Sequence, residues 1–158
     1  SGYVAAARLT PGNPAEAHRA YCIENAGAPV TSGEILSTPS RVAPGTGGRL
    51  EVDNRGNTGA VLKLRDAHGA VGVAVFVGPG DHATVHDVPG GVYMAEVAIG
   101  DLWSRRCGQF MAGMRTETHA RPDAIGAAAG GPPGLLYTLP LPDGGDWHDI
   151  PDAEFATD

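Results

Sequence analysis

Lysine and aromatic residues are scarce in this chain. Lys63 is the only lysine among 11 Lys and Arg residues, and 18 acidic residues bring the formal net charge to −7. A surface that binds nucleic acid needs clustered Lys and Arg, so this charge argues against a nucleic-acid partner. With three Phe and two Trp, the core must consist mainly of Val, Leu, Ile and Ala.

Long apolar runs are missing as well. No stretch approaches the roughly 20 apolar residues that a helix needs to cross a bilayer, and no signal peptide is visible. The sequence therefore predicts no membrane span. Because Ser1 stands where a starting Met would be expected, we interpret the chain as processed or trimmed.

Cysteine is limited to Cys22 and Cys107, which lie far apart and match no metal-ligand spacing. Two interpretations remain open. A disulfide would close a loop of about 85 residues, contribute ~4.5 kcal/mol in the chain-entropy model and imply an oxidising compartment. Alternatively, both residues are free, partly buried thiols. We favour the disulfide, and with it an extracytoplasmic or secreted location.

Glycine and proline, by contrast, are abundant. The 24 Gly and 13 Pro among 158 residues favour many short strands joined by turns over long helices. This length suits one domain, which buries roughly two thirds of its unfolded surface and needs no metal or disulfide to fold. No strand–helix alternation occurs, which argues against a parallel α/β fold.

Composition divides the chain into three parts. Residues 1–47, rich in Gly, Ala, Pro, Ser and Thr, are predicted to form an extended N-terminal arm or linker. Residues 48–142 show apolar alternation and are predicted to form the β-sandwich domain. Residues 143–158 are predicted to be an acidic C-terminal tail that packs on the domain through Phe155.

The arm has one helical signal, at Pro14–Tyr21, where Asn13 suits the cap and Pro14 the first helical position. Elsewhere in the arm no period is sustained. About 45 extended residues reach over roughly 100 Å, enough to cross onto a neighbouring copy of the chain and add a strand there. We therefore expect a protein partner, which includes other copies of the chain.

The sandwich region predicts about seven strands at spacings near ten residues, typical of an antiparallel β-sandwich. Leu50 and Val52 alternate with acidic residues, as in a half-buried strand. Val71–Val77 is apolar on both faces and is predicted to be a central strand. Asn54–Asn57 and Asp66–Gly69 are predicted to be hairpin turns.

The second half of this region gives weaker signals. Gly100–Trp103 is a predicted turn whose tryptophan plugs one end of the core. Gln109–Thr118 is a predicted strand, and alternating apolar residues predict a late strand over Leu135–Leu141. Pro140 and Pro142 cannot donate to a strand ladder, which places this late strand at a sheet edge.

The stretch Asp81–Val97 predicts a strand, a tight Val-Pro-Gly-Gly turn and a second strand. Pro89 fixes φ, Gly90 or Gly91 is expected to supply a positive φ, and Tyr93 opens the inner face of the second strand. We expect the Tyr93 hydroxyl to be hydrogen-bonded at the edge of the core. These four residues are predicted to form a structural turn.

This turn resembles the signature of carboxypeptidase regulatory-like, or prealbumin-like, domains. Residues 47–118 also resemble an uncharacterised bacterial β domain. The resemblance implies a β-sandwich that serves as a non-catalytic module, and it covers roughly 90 residues. The positions matching the bacterial domain are Leu50, Val52, Asn54, Val61, Lys63, Leu64, Tyr93 and Trp103.

The histidines give the main chemical alternative. His82 and His86 have a spacing that makes a zinc pair on a helix, but on a strand it separates them by ~13 Å. With Thr84 they are predicted to form a polar, outward-facing row. His119, Asp146 and His148 form looser groups near loops.

Two function hypotheses follow. The first is a non-enzymatic module for protein–protein interaction or self-assembly in an extracytoplasmic bacterial protein, through an arm-mediated oligomer or filament. No catalytic, cofactor or metal site is predicted under it, since neither a nucleophile elbow nor a phosphate-binding loop is present. The alternative is a small metal- or carbohydrate-binding protein or hydrolase that uses the loop His and Asp residues.

Overall fold

The computed structural model describes residues 13–37, 47–141 and 145–157. No helix within these ranges is both long and apolar enough to cross a membrane. The elements are α1 (Pro14–Glu24), β1 (Gly48–Asn54), β2 (Gly59–Arg65), β3 (Val71–Val77), β4 (His82–Val88), β5 (Gly91–Ser104), β6 (Gln109–His119), β7 (Asp123–Ile125), a 3-10 turn (Ala127–Ala129), β8 (Gly134–Leu139), β9 (Trp147–Asp149) and α2 (Asp152–Ala156).

The strands form two sheets, and the predicted all-β sandwich is confirmed. The smaller sheet has the order β4-β1-β8, and the larger has the order β3-β2-β5-β6-β9 with β7 paired to β5. Strand β8 lies at an edge of the smaller sheet, as predicted. The described ranges contain nine strands rather than about seven, and β8 runs parallel to β1, so the sandwich is not wholly antiparallel.

The main core lies between the two sheets. Leu50 and Val52 of β1 are fully buried while Glu51 and Asp53 stay partly exposed, so the predicted alternation is correct. Small aliphatic residues make up most of this core, as the low number of aromatic residues in the sequence predicts. The buried members are Leu50, Val52, Ala60, Leu62, Leu64, Val73, Val75, Val77, Ala83, Val85, Val88, Tyr93, Ala95, Val97, Ile125, Tyr137 and Leu139.

A second apolar cluster covers the outer face of the larger sheet. Val61, Phe76, Ala98 and Phe110 are buried there, and Phe155 of α2 packs against them. This outer layer explains why β2 and β3 carry apolar residues on both faces, since both faces are withdrawn from water.

Strand β3 is not central, contrary to the prediction from its two apolar faces. It ends the larger sheet, and residues 33–36 lie along its outer edge. The Leu36 amide donates to the Ala74 carbonyl at 2.8 Å, and the Phe76 amide donates to the Glu34 carbonyl at 3.1 Å. The apolar residues on both faces of β3 therefore show that both faces are covered, and they do not show where the strand lies in the sheet. Its outer edge is covered by residues 33–36, which are distant in sequence.

Two of the predicted turns differ from expectation. Asp66–Gly69 does join the antiparallel pair β2 and β3, but Asn54–Asn57 crosses from one sheet to the other and is not a hairpin. Gly100–Trp103 lies within β5, at a register shift against β6, and not in a turn. Trp103 packs in the outer cluster against Phe110, with ring centroids 4.9 Å apart, and does not plug an end of the main core.

The Pro89–Tyr93 turn also crosses between the sheets, from β4 to β5. The Tyr93 hydroxyl donates to the Pro89 carbonyl at 2.6 Å, and burial raises the pKa of this hydroxyl. The expected positive φ at Gly90 or Gly91 is wrong. The glycine that Tyr93 requires is Gly72 on β3, because a Cβ there would lie 2.7 Å from the Tyr93 ring.

Two cations hold the C-terminal helix. Lys63 Nζ donates to the Phe155 carbonyl at 2.5 Å and lies 4.5 Å from the centre of the Phe155 ring. Arg65 donates to the Thr157 carbonyl at 2.7 Å and pairs with Glu96 at 2.8 Å. The last carbonyls of a helix lack partners within it, so these buried cations satisfy the end of α2.

We expect Phe155→Ala to lower the free energy of unfolding by about 3–5 kcal/mol, because it empties a buried site beneath α2. The same change should expose Lys63 to acylation by an N-hydroxysuccinimide ester. Urea titration and mass spectrometry measure the two effects. Glu154→Gln alters an exposed neighbour and should leave both unchanged; equal acylation of Lys63 in the unaltered protein would contradict its burial.

Candidate functional site

A disulfide fixes the N-terminal helix to the sandwich. Cys22 of α1 is bonded to Cys107, in the turn between β5 and β6, so the predicted disulfide is confirmed and the free-thiol alternative is wrong. The helix prediction is also confirmed, with Asn13 Oδ1 accepting from the Ala15 amide at 2.9 Å. Cys22 is the only buried residue of α1, which makes the disulfide its main anchor.

Arg105 gathers the chain that follows α1. Its guanidinium donates to the carbonyls of Ala28 and Pro29, at 2.6 and 2.9 Å, and makes a two-pronged pair with Glu34. Its own amide donates to the Ala26 carbonyl at 2.8 Å. Five donors in a planar fork suit one side chain to this task, and residues 26–34 are thereby held as an arch.

The far end of this arch is bound to the turn between β3 and β4. Ser32 Oγ donates to the Asp81 carboxylate and accepts from the Gly78 amide at 2.8 Å. The Gly33 amide donates to the Phe76 carbonyl at 2.8 Å. Residues 13–37, which the sequence assigns to the arm or linker, therefore lie against the larger sheet; residues 1–12 and 38–46 of the predicted arm fall outside the described residues.

The arch and the sheet enclose an apolar groove of about 390 Å³. Gly59 and Gly100 are paired across β2 and β5 at its floor. A Cβ at Gly100 would lie 2.7 Å from Phe110 Cβ, so the glycine makes room for that residue. The groove is lined mainly by Ile23, Ala26, Pro29 and Val30 on the arch side and by Phe76, Leu102, Trp103, Phe110 and Met111 on the sheet side.

Two large apolar side chains at this groove face water. Leu102 is 68% exposed and Ile23 is 43% exposed. Leu102 also has a φ of 61°, in the left-handed region that a branched side chain rarely adopts. Backbone strain at an exposed apolar residue beside a concave surface is typical of a binding site. Asp101, also exposed, adds the acidic group of the rim.

The histidine row on β4 lies where it was predicted. His82, Thr84 and His86 are exposed, while Ala83 and Val85 between them are buried. His82 Nε2 lies 3.3 Å from Glu51 Oε1 on the neighbouring strand. The row is a solvated face of the smaller sheet.

The loop histidines and acids do not meet at one point. His119 Nδ1 donates to the Arg121 carbonyl at 2.7 Å, and its ring lies 4.8 Å from the Trp147 ring. Asp146 pairs with the Arg121 guanidinium. His148 follows Trp147 on β9, so its side chain points to the opposite face. Within the described ranges these residues form no common metal-binding group, and the loop-histidine hypothesis stays a prediction.

A buried tyrosine lies near the same loops. The Tyr137 hydroxyl donates to Asp123 Oδ2 at 2.6 Å. Burial, followed by this hydrogen bond, raises the pKa of Tyr137 well above its usual range. The tyrosine therefore stays protonated and acts as a structural donor rather than as a base.

The sequence alone did not point to the groove. Arg105 lies in a turn, and its carbonyl partners have no pattern that links them to it. Leu102 stood within a predicted turn, where an exposed apolar residue attracts no notice. The features of this site arise from contacts between segments about 75 residues apart in the chain.

Comparison of the chain with models of protein families, with curated proteins and with solved structures finds no match. The function proposed below therefore depends on the groove and on the fold.

The hydrogen bond from Arg105 lowers the pKa of the Glu34 carboxyl. This contact therefore stabilises the folded chain above the ordinary carboxyl range, and its contribution is lost as the pH falls through the depressed folded-state pKa. We expect the Arg105 Nε resonance in ¹H–¹⁵N spectra to shift over that acidic range.

Glu34→Gln should abolish this shift, whereas Glu24→Gln, an exposed change at the end of α1, should preserve it. An identical titration in Glu34→Gln would show that the pair does not hold the arch.

Proposed function

We propose that the chain is a non-enzymatic β-sandwich module of an extracytoplasmic bacterial protein, and that its groove binds an apolar segment of a partner polypeptide. The observation that carries the proposal is the groove itself, with Phe76, Trp103 and Phe110 inside and Leu102 exposed at the rim. Aromatic side chains in a concave site supply most of the binding energy in many protein interfaces.

The shape of the site favours an extended polypeptide over a small molecule. The volume of about 390 Å³ admits two or three side chains. Ile23 and Leu102 are largely exposed at the groove, so an occupant that removes them from water must extend past the concave part. A polypeptide segment with apolar side chains at intervals fills the groove with some of them and covers Ile23 and Leu102 with others. We assign such a segment as the occupant.

The negative charge at the rim of the groove predicts that the occupant carries a basic side chain. Asp101 lies exposed beside Leu102 at the rim, and the chain carries a formal net charge of −7. Arg105, the nearest cation in sequence, is already paired with Glu34. A basic side chain next to the apolar residues of the partner therefore complements this rim and increases the association rate.

The walls of the groove are held in place before any partner arrives. The disulfide anchors α1, Arg105 anchors residues 26–34, and Ser32 anchors the far end. Less ordering entropy is lost on binding when the site is already formed. The disulfide also supports an extracytoplasmic location, since such bonds persist in oxidising compartments.

Self-assembly through the N-terminal arm stays a prediction, because residues 1–12 and 38–46 lie outside the described residues. The resemblance to carboxypeptidase regulatory-like domains supports the same class of function, a non-catalytic module, and names no partner. Sedimentation velocity at several concentrations separates the two cases: a self-associating chain changes its mass with concentration, and a chain that binds a different partner does not.

We expect Leu102→Asp to weaken partner binding at least tenfold, or about 1.4 kcal/mol. Peptides selected from a displayed random library against the unaltered domain provide the ligands, and calorimetry gives the affinities. The matched control is Leu136→Asp, which changes another leucine that is 60% exposed, on β8 of the other sheet.

Selected peptides should carry spaced apolar residues and a basic residue. If they bind both aspartate variants as well as the unaltered domain, or if selection enriches no peptide, the groove is not the binding site.

A further inference from the structure

A histidine lies beside the disulfide. His18 is exposed and stands one helical turn before Cys22 on α1, so the two side chains share a face of the helix. His18 Nε2 lies 3.5 Å from Cys22 Sγ. Among the described residues, His18, Cys22 and Cys107 make one group whose ligand atoms all lie within 4.8 Å of one another.

The distance between His18 Nε2 and Cys22 Sγ already equals the separation of two ligands on one zinc ion. Zinc–sulfur bonds of about 2.3 Å and zinc–nitrogen bonds of about 2.0–2.1 Å, at tetrahedral angles, separate a nitrogen and a sulfur ligand by roughly 3.5 Å. The same geometry separates two sulfur ligands by roughly 3.8 Å. The two sulfur atoms must therefore move apart, and Cys107 Sγ must settle at a ligand distance from His18 Nε2, which lies within 4.8 Å of it. Cys107 lies in a surface turn, next to Gly108.

We propose that reduction of the Cys22–Cys107 disulfide converts this link into a zinc site formed by His18, Cys22 and Cys107. A dithiol reductant breaks the sulfur–sulfur bond: its own two sulfurs become a disulfide, and its two protons and two electrons leave Cys22 and Cys107 as thiols. Zn²⁺ then binds the two sulfurs as thiolates, and two protons are released.

The surroundings suit this ion. Two thiolates and a neutral imidazole balance the charge of Zn²⁺, so binding requires no further counter-charge. Thiolate and imidazole ligands select zinc over harder cations such as magnesium and calcium. A cavity of about 280 Å³ reaches His18 and is also lined by Met111, Met114 and Asp152, so the imidazole side of the site is accessible from solvent. Water would complete the four-coordinate zinc.

The site would also preserve the architecture. Cys22 is the only residue that α1 buries, so loss of the disulfide removes the covalent link that anchors the helix to the sandwich. A metal bound by His18 and Cys22 on one side and Cys107 on the other joins the same two segments again. Zinc binding at these three residues is independent of what the groove binds.

Cobalt provides the test, because tetrahedral Co²⁺ with thiolate ligands has intense visible bands and a sulfur-to-metal charge-transfer band. The whole chain is reduced with a phosphine under anaerobic conditions and titrated with Co²⁺, then with Zn²⁺. We expect one equivalent of tetrahedral cobalt, displaced by zinc, in the reduced protein, and no such spectrum in the oxidised protein.

The variants separate a built site from nonspecific uptake. His18→Ala should weaken cobalt binding at least tenfold, since even residues that only support a metal ligand cost that much. His86→Ala, an exposed histidine on β4, is the matched control and should change nothing. The double variant Cys22→Ser with Cys107→Ser should show no charge-transfer band.

Folding is followed separately by near-ultraviolet circular dichroism. A native signal from the double serine variant shows that the fold survives without the disulfide. If, in that case, the reduced wild-type protein still binds no cobalt, the proposal is wrong. It is also wrong if His18→Ala binds cobalt as tightly as wild type, if the spectrum is octahedral, or if the reduced protein loses its native signal and zinc does not restore it.

Discussion

The bond between Cys22 and Cys107 is the constraint on which the outer layer of this domain depends. Helix α1 buries one residue, the cysteine itself, and a helix of 11 residues is marginal on its own. Once α1 is held at the turn between β5 and β6, the next residues reach Arg105, then the turn at Asp81, and finally the edge of β3. The groove and the covered edge of β3 both follow from this placement.

The larger sheet is covered on both faces, and its outer face combines apolar and charged contacts. Val61 packs in the outer cluster, while Lys63 and Arg65 on the same face reach the backbone carbonyls at the end of α2. Burying cations is costly unless hydrogen bonds replace water, and the open end of a short helix supplies them. Both ends of the described chain thus cover one sheet, and each combines apolar packing with hydrogen bonds. The first segment packs Val30 and Leu36 and is bonded to Arg105; the last packs Phe155 and is bonded to Lys63 and Arg65.

Local patterns in the sequence predicted strands and the first helix better than turns. Alternation at Leu50–Val52 and the cap at Asn13 indicated a strand and a helix that the structure contains. The prediction that β3 is central failed because apolarity reports which faces are covered and says nothing of neighbours along the sheet. The groove and the grouping of His18 with Cys107 could not be predicted, since each joins segments about 70 or more residues apart through side chains with no periodic signal.

The parallel pairing of β1 with β8 bears on how the chain folds. β1 is complete by Asn54, yet one of its two neighbours begins only at Gly134, and α1 likewise waits for Cys107. Contacts this distant close large loops before they contribute stability, which makes folding slow. A chain synthesised or exported from its N-terminus therefore leaves one edge of β1 unpaired until β8 has emerged, and during that interval it depends on whatever keeps unpaired strand edges from aggregating.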